Sequence, residues 1–224
     1  MSNEWLFFLS VLAEMSFVLV ASRKGVDWLL GTIGINLIFV SIFGAKLITV
    51  FGLVTNAGNI FYACVFLATH FLLERHGRRA GFQTIWFGVG LVLFFFTMSQ
   101  FATRFTGLAL SQEVNSAIST LFSLSPRVTL ASILAYIFAQ YVNIFIYEWI
   151  KLRTKGKFLW LRSNVANIAG QLVDSLLFFS IAFFDLPGPV LVQVILVGWA
   201  FKTFVVFLGT PFLYFDAYLD RKNS

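Results

Sequence analysis

The stretch Arg162–Phe184, RSNVANIAGQLVDSLLFFSIAFF, decides how the rest of the chain is read. From Ser163 onward it is long and apolar enough to cross a bilayer, which takes about 20 residues. Yet Asn164, Asn167, Gln171 and Asp174 all need hydrogen bonds. Their steps of three, four and three put them on one narrow helix face. A carboxylate inside a membrane is costly, so Asp174 has to face the protein interior or a wet cavity, which makes it a candidate site residue. The plainer alternative is that this face only ties the helix to its neighbours. Amides and a carboxylate stacked together ask for more than packing does.

The chain around that stretch has 224 residues, 59% of them hydrophobic and 12% charged, with a mean hydropathy of +0.87. A soluble domain would be near ~25% charged, so the fold class expected is an all-α integral membrane protein, a compact bundle of six to seven transmembrane helices. No linker or repeat divides it, and residues 1–224 read as one transmembrane domain. Cys64 is the sole cysteine, which excludes an intrachain disulfide and any metal site built by cysteine spacing. The net charge of +6 sits in short loops between apolar spans rather than in a stripe, so nucleic acid is not an expected partner and the lipid bilayer is.

Seven spans are expected. The first is Trp5–Ser22, closed by Arg23-Lys24-Gly25, and without a basic flank or cleavage motif it reads as a retained span. The second runs from Trp28 to roughly Val50, with Asn36 near its middle and Lys46 near its end, followed by a short turn over Gly52–Asn59. Gly58–Leu73 and Phe82–Phe101 flank the charged segment Glu74–Arg79. Thr106–Ser125 interleaves apolar and polar residues like a helix lying in the interface. Pro126–Trp149, the opening stretch and a last span ending near Tyr218 complete the set. With the N-terminus outside, 12 of the 16 Lys and Arg residues fall on the inner side, in Arg23–Lys24, Arg75–Arg79, Lys151–Arg162 and Arg221–Lys222. That bias predicts a multi-pass protein of the cell (inner) membrane with a cytoplasmic C-terminus.

The fifth span carries a second polar stripe, Ser132, Tyr136, Gln140, Asn143 and Tyr147, beside a small-residue ridge of Ala131, Ala135 and Ala139. With the ridge packed on a neighbour and the stripe turned toward Asn164–Asp174, the two helices would line a cavity of amides, aromatics and one carboxylate. Such a cavity suits a small, flat, polar heterocycle better than an ion or a lipid. Lys202 lies too deep to reach the surface and is paired with Asp174 or with a substrate, whereas Lys46 is as well explained by snorkelling to the interface. His70, Glu74 and His76 lack the spacing of a zinc site, no nucleophile–base constellation assembles, and no phosphate-binding glycine loop exists. Catalytic residues, metals and cofactors are therefore not expected.

Gly58–Ala80, GNIFYACVFLATHFLLERHGRRA, resembles the queuosine-precursor transporters of the vitamin-uptake transporter group. The likeness is carried by Phe66-Leu67-Ala68-Thr69 with Glu74 and Gly77. It extends to Asn36, Lys46, Arg127, Ala131, Ser132 and Gln140, then to Asn164, Gln171, Asp174, Lys202, Thr210 and Pro211. The resemblance implies uptake of a 7-deazaguanine such as 7-cyano-7-deazaguanine, through a core of six spans to which the first is an addition. It further implies substrate-binding roles for Asp174, Gln171, Asn167, Gln140, Asn143, Lys202, Lys46 and Asn36. Asp174 would accept the ring N–H and exocyclic amine as a pair, and the amides would meet the remaining edges. Two positions depart from the family pattern: His70 and Asn143 stand where aspartates are usual. Two other readings remain open. One is a substrate-binding subunit docked on an energy-coupling ATPase module, for which the alanine ridge would serve; the other is an intramembrane enzyme using His70 or Asp174. A homo-oligomer is also compatible with the sequence.

Overall fold

The computed structural model describes residues 2–44, 46–123 and 126–223. Helices α1 (Asn3–Lys24) and α2 (Val26–Phe43) are separated by Gly25 alone. Its φ of +113° is open to glycine at no steric cost, which is how two spans reverse over one residue. Helix α3 (Gly58–Arg104) has 47 residues, α5 (Pro126–Arg153) 28, α6 (Leu159–Ala182) 24 and α7 (Gly188–Asn223) 36. All six are long and apolar enough to cross a membrane, and the chain is an all-helical membrane bundle. Between Arg104 and Pro126 a 3-10 turn (Ala109–Ser111) leads into the short helix α4 (Gln112–Leu121), which buries none of its residues and exposes Val114, as an interfacial helix does.

At ~1.5 Å per residue a straight α3 would be about 70 Å long, twice a bilayer's core. It is not straight. Gly77 has φ +77° and ψ −177°, and the helix folds back there. Contacts on either side show the reversal. Tyr136 Oη bonds the Thr84 carbonyl and Gln140 bonds Thr69, while Asn143 reaches His70 and a Cβ on Gly81 would meet Ile144. Going down α5, the first half of α3 is met in rising order and the second in falling order. Residues 58–76 and 78–104 are thus two antiparallel spans, giving seven crossings.

The first half of α3 is the axis of the bundle. From Gly58 to Leu73 every residue except Phe61 is buried, the signature of a helix surrounded by others. Helices α1, α2, α5, α6 and α7 pack around it. The alanine ridge is consumed in this packing: Ala131, Ala135 and Ala139 are buried, and a Cβ on Gly170 of α6 would come 3.0 Å from the Ala139 carbonyl oxygen. The ridge is therefore an internal seam and offers no surface on which an energy module could dock. The polar stripe of α5 is turned chiefly toward α3, which supplies the partners of Tyr136, Gln140, Asn143 and Tyr147.

The second span ends earlier than expected. Helix α2 stops at Phe43, and Leu47–Val50 (β1) pairs antiparallel with Leu53–Asn56 (β2) where the sequence suggested more helix and a plain turn. Thr49, Val50, Val54 and Thr55 are β-branched, and the two-residue loop Phe51–Gly52 has positive φ at both positions, as a type I′ hairpin requires. Phe51 tolerates φ +52° because its ring packs edge-on against Phe7, Phe8 and Phe204 and its N–H bonds Glu4 Oε1 at 3.2 Å. The hairpin marks one end of the bundle. The opposite, basic end collects Arg23, Arg75, Lys151 and Arg162.

Candidate substrate-binding site

A cavity of about 370 Å³ enters the bundle from the hairpin end, within the ~300–1,000 Å³ usual for small-molecule sites. Gly44, Leu47 and Asn56 rim it, Val92, Phe96, Tyr136, Phe178 and Phe179 wall it, and Asp174, Lys202 and Tyr62 meet inside it. Asp174 is only 6% exposed and Lys202 5%, so two charges lie well inside the protein. Lys202 Nζ donates to Asp174 Oδ2 at 2.5 Å and to Ser175 Oγ at 3.3 Å, and Tyr62 Oη donates to Asp174 Oδ1 at 2.5 Å. The ammonium also lies 5.2 Å from the centre of the Tyr62 ring. Both carboxylate oxygens are thereby engaged, and the net charge of the group is zero. That is the arrangement in which a buried carboxylate is tolerated.

One to three turns further toward the basic end are neutral polar side chains. Gln140 Nε2 reaches Thr69 Oγ1 at 3.4 Å, Asn143 Oδ1 lies 3.0 Å from His70 Nε2, and His70 Nδ1 lies 2.9 Å from Ser163 Oγ. Gln171 has neither end of its amide bonded, and Asn167 Oδ1 has no partner, among the described residues. Both are buried. Open amides at this depth are groups that a polar ligand or water would satisfy.

Of the residues expected at the site, Asp174 and Lys202 meet in the cavity. Gln171, Asn167, Gln140 and Asn143 lie beneath it. Asn36 and Lys46 lie elsewhere. Asn36 is buried on the side of α2 that reaches Glu14 of α1, and its amide donates to the Thr32 carbonyl at 2.9 Å. Lys46 is exposed at the hairpin base, where its carbonyl accepts from the Ala57 N–H, so it does not line the cavity. The sequence reading missed Tyr62 and Asn59. Their signal was present in Asn59, Tyr62, Phe66 and Thr69, a stripe at helical spacing that also lines up with His70. The apolar residues around them masked it.

Residues 56–215 match the protein family described as "Putative vitamin uptake transporter". The chain belongs to that family. A curated protein of Bacillus subtilis (strain 168), named "Probable queuosine precursor transporter", is 28% identical over 212 residues, covering 94% of this chain and 92% of that protein. No solved structure matches. The family match starts at the second strand of the hairpin and ends in α7, so it contains Tyr62, Asp174 and Lys202 but not α1. This member of the family is thus a multi-pass membrane protein with a ring-walled cavity around an ion pair.

Proposed function

We propose that the chain imports a queuosine precursor, a 7-deazaguanine such as 7-cyano-7-deazaguanine, across the cell (inner) membrane, with the N-terminus outside and the C-terminus in the cytoplasm. The observation that carries this reading is the Asp174 carboxylate, held by Lys202 and Tyr62 inside an aromatic cavity. A guanine-like ring offers a ring N–H and an exocyclic amine side by side, and a carboxylate accepts such a pair with two parallel bonds. The ligand would take over acceptor capacity now used by Tyr62 and Lys202, and Tyr62, Phe96, Phe178 or Phe179 would cover the ring faces. Gln171 and Asn167, with open amide atoms one and two turns below, would meet the carbonyl edge as the ring moves inward. The name of the Bacillus subtilis relative supports the same substrate. The reading is transport without catalysis.

The test is complementation. A bacterium that neither synthesises nor imports deazaguanines, grown on a low level of 7-cyano-7-deazaguanine, should regain queuosine in its tRNA when this chain is expressed. Restoration should persist in a host without any energy-coupling ATPase module for vitamins. Loss there would make the chain a docking subunit, and failure with every deazaguanine tried would mean that the substrate is another ring.

A further inference from the structure

The basic end of the bundle is closed by two carboxylates. Asp216 of α7, buried, accepts from Arg75 of α3 on both oxygens at 3.0 and 2.8 Å and from Ser22 Oγ at 3.0 Å; Arg23 of α1 forms an ion pair with it at 3.0 Å and donates from Nη2 to its backbone carbonyl at 2.6 Å. Glu74, the neighbour of Arg75, bonds Arg162 of α6 at 2.8 Å and Tyr147 of α5 at 2.5 Å, with Lys151 at 3.5 Å. Five helices are cinched through the dipeptide Glu74–Arg75. Between the two clusters is a second cavity of about 370 Å³, bordered by Phe71, Glu74, Arg75, Leu213 and Asp216. Twelve residues of α3, about 18 Å, separate Tyr62 in the first cavity from Glu74 beside the second. Among the described residues, the hairpin end has no such closure. Its ion pair, Arg127 to Asp185 at 2.9 Å, joins α5 to the end of α6 and lies exposed beside the mouth.

Helix α7 connects the two cavities. It carries Lys202 in the first and Asp216 in the second, 14 residues apart, and Pro211 interrupts it between them. Proline has no N–H for the carbonyl of Phe207 and crowds it, so this turn is the place where α7 bends most easily. Just before it, Thr210 Oγ1 is held by Asn164 Oδ1 of α6 at 3.0 Å.

We propose that Asp216 and Glu74 form the gate on the basic side of the transport path, and that α7, flexing at Pro211, couples it to the Asp174–Lys202 pair. The idea rests on the transporter reading above. A substrate that takes Asp174 from Lys202 removes the charged tie between the first half of α7 and α6 and leaves it held there by the neutral bonds of Trp199 to Ile168 and Thr210 to Asn164. The second half then swings from α1 and α3, parting Asp216 from Arg23 and Arg75. The second cavity becomes the exit, with Gln171, Asn167 and Asn164 spaced along α6 between the two. Asp216 and Glu74 are positioning residues that touch no substrate in the closed form.

The test follows a cysteine at Leu213, buried at the rim of the second cavity, in a C64A background. In membrane vesicles, L213C should react slowly with an impermeant maleimide reaching the basic face. Saturating 7-cyano-7-deazaguanine should speed it roughly tenfold, within the range of ordinary site-to-site coupling. D216N should speed it by a similar factor without ligand while leaving ligand affinity from the hairpin side within roughly threefold. P211A should bind normally but lose the ligand's effect on labelling, with turnover falling and affinity unchanged. Should D216N not reach the membrane, R75Q, which leaves Arg23 on Asp216, takes its place. Labelling indifferent to the gate substitution would overturn the gate. Labelling unmoved by ligand in a chain that binds it, or still responsive in P211A, would overturn the coupling. If the parent binds no deazaguanine, the substrate reading fails, and the ligand-free comparison of the gate variants still judges the gate.

Discussion

His70 Nε2 sits 3.0 Å from Asn143 Oδ1, a single buried contact that joins α3 to α5. A neutral imidazole bonded to Ser163 on one side and an amide on the other fills a buried site without a net charge, which two facing carboxylates could not do. Removing either partner strands the other at zero exposure. In a double-mutant cycle of His70→Ala and Asn143→Ala, each single change should lower thermal stability in detergent. The coupling should be about 0.5–2 kcal/mol, as for other contacts between membrane helices. Additive effects would mean that the pair contributes no mutual stabilisation.

Asp174→Asn leaves Lys202 buried without a counter-charge and presents an amide N–H toward ligand donors. Lost charged hydrogen bonds of this kind cost about 1.5–3 kcal/mol. Binding of 7-cyano-7-deazaguanine should therefore fall roughly ten- to a hundredfold. Equilibrium binding on purified protein measures it, and unchanged affinity would move the site elsewhere.

Tyr62→Phe keeps the ring beneath the Lys202 ammonium and deletes the bond to Asp174 Oδ1. If the ring covers the ligand and the hydroxyl only occupies the carboxylate until the ligand arrives, affinity should hold or rise slightly, whereas Tyr62→Ala should lose about tenfold or more. A large loss with Tyr62→Phe would make the hydroxyl a direct ligand contact.

Gly170→Val tests the α5–α6 seam. Its Cβ would meet Phe66 at 2.9 Å, the Ala139 carbonyl at 3.0 Å and Asn143 Cβ at 3.1 Å, two of them backbone or close to it. Overpacking costs about 1–3 kcal/mol, so melting temperature and yield should drop. Gly90→Val, at a glycine whose Cβ would have nothing within 4 Å, is the matched control and should be tolerated.

Orientation is tested with a reporter that works only in the cytoplasm. Fused at Ser224 or inserted between Lys151 and Arg162 it should be active, and at the N-terminus or between Thr106 and Ser123 silent. An active N-terminal fusion would reverse the proposed topology.

Much of the bundle is legible in the sequence because bilayer crossing imposes a length and composition that few other elements share. The Asp174–Lys202 pairing is legible for a similar reason: two charges at that depth need each other. The hairpin was not, since Leu47–Asn56 is a continuous apolar-to-polar extension of α2 and its Phe51–Gly52 loop depends on distant rings for its positive φ. Asn36 and Lys46 were drawn to the site by sequence likeness alone, and their directions are set by α1 and the hairpin. The alanine ridge is legible as a place of close approach, but whether a helix of this chain or a separate module fills it is decided by tertiary packing, which buries all three alanines.

The central position of α3 has a consequence for how the protein is made. Tyr62 waits for a partner 112 residues downstream, and Arg75 for one 141 residues away. At ~5–20 residues per second, the first of those delays lasts roughly 6 to 22 s. During that interval the axis of the bundle stands in the bilayer with Tyr62, His70 and Arg75 lacking their final bonds. A ribosome stalled before α6 releases a chain whose innermost helix is its least satisfied part, marked for the membrane's quality-control proteases by the groups that later hold it together.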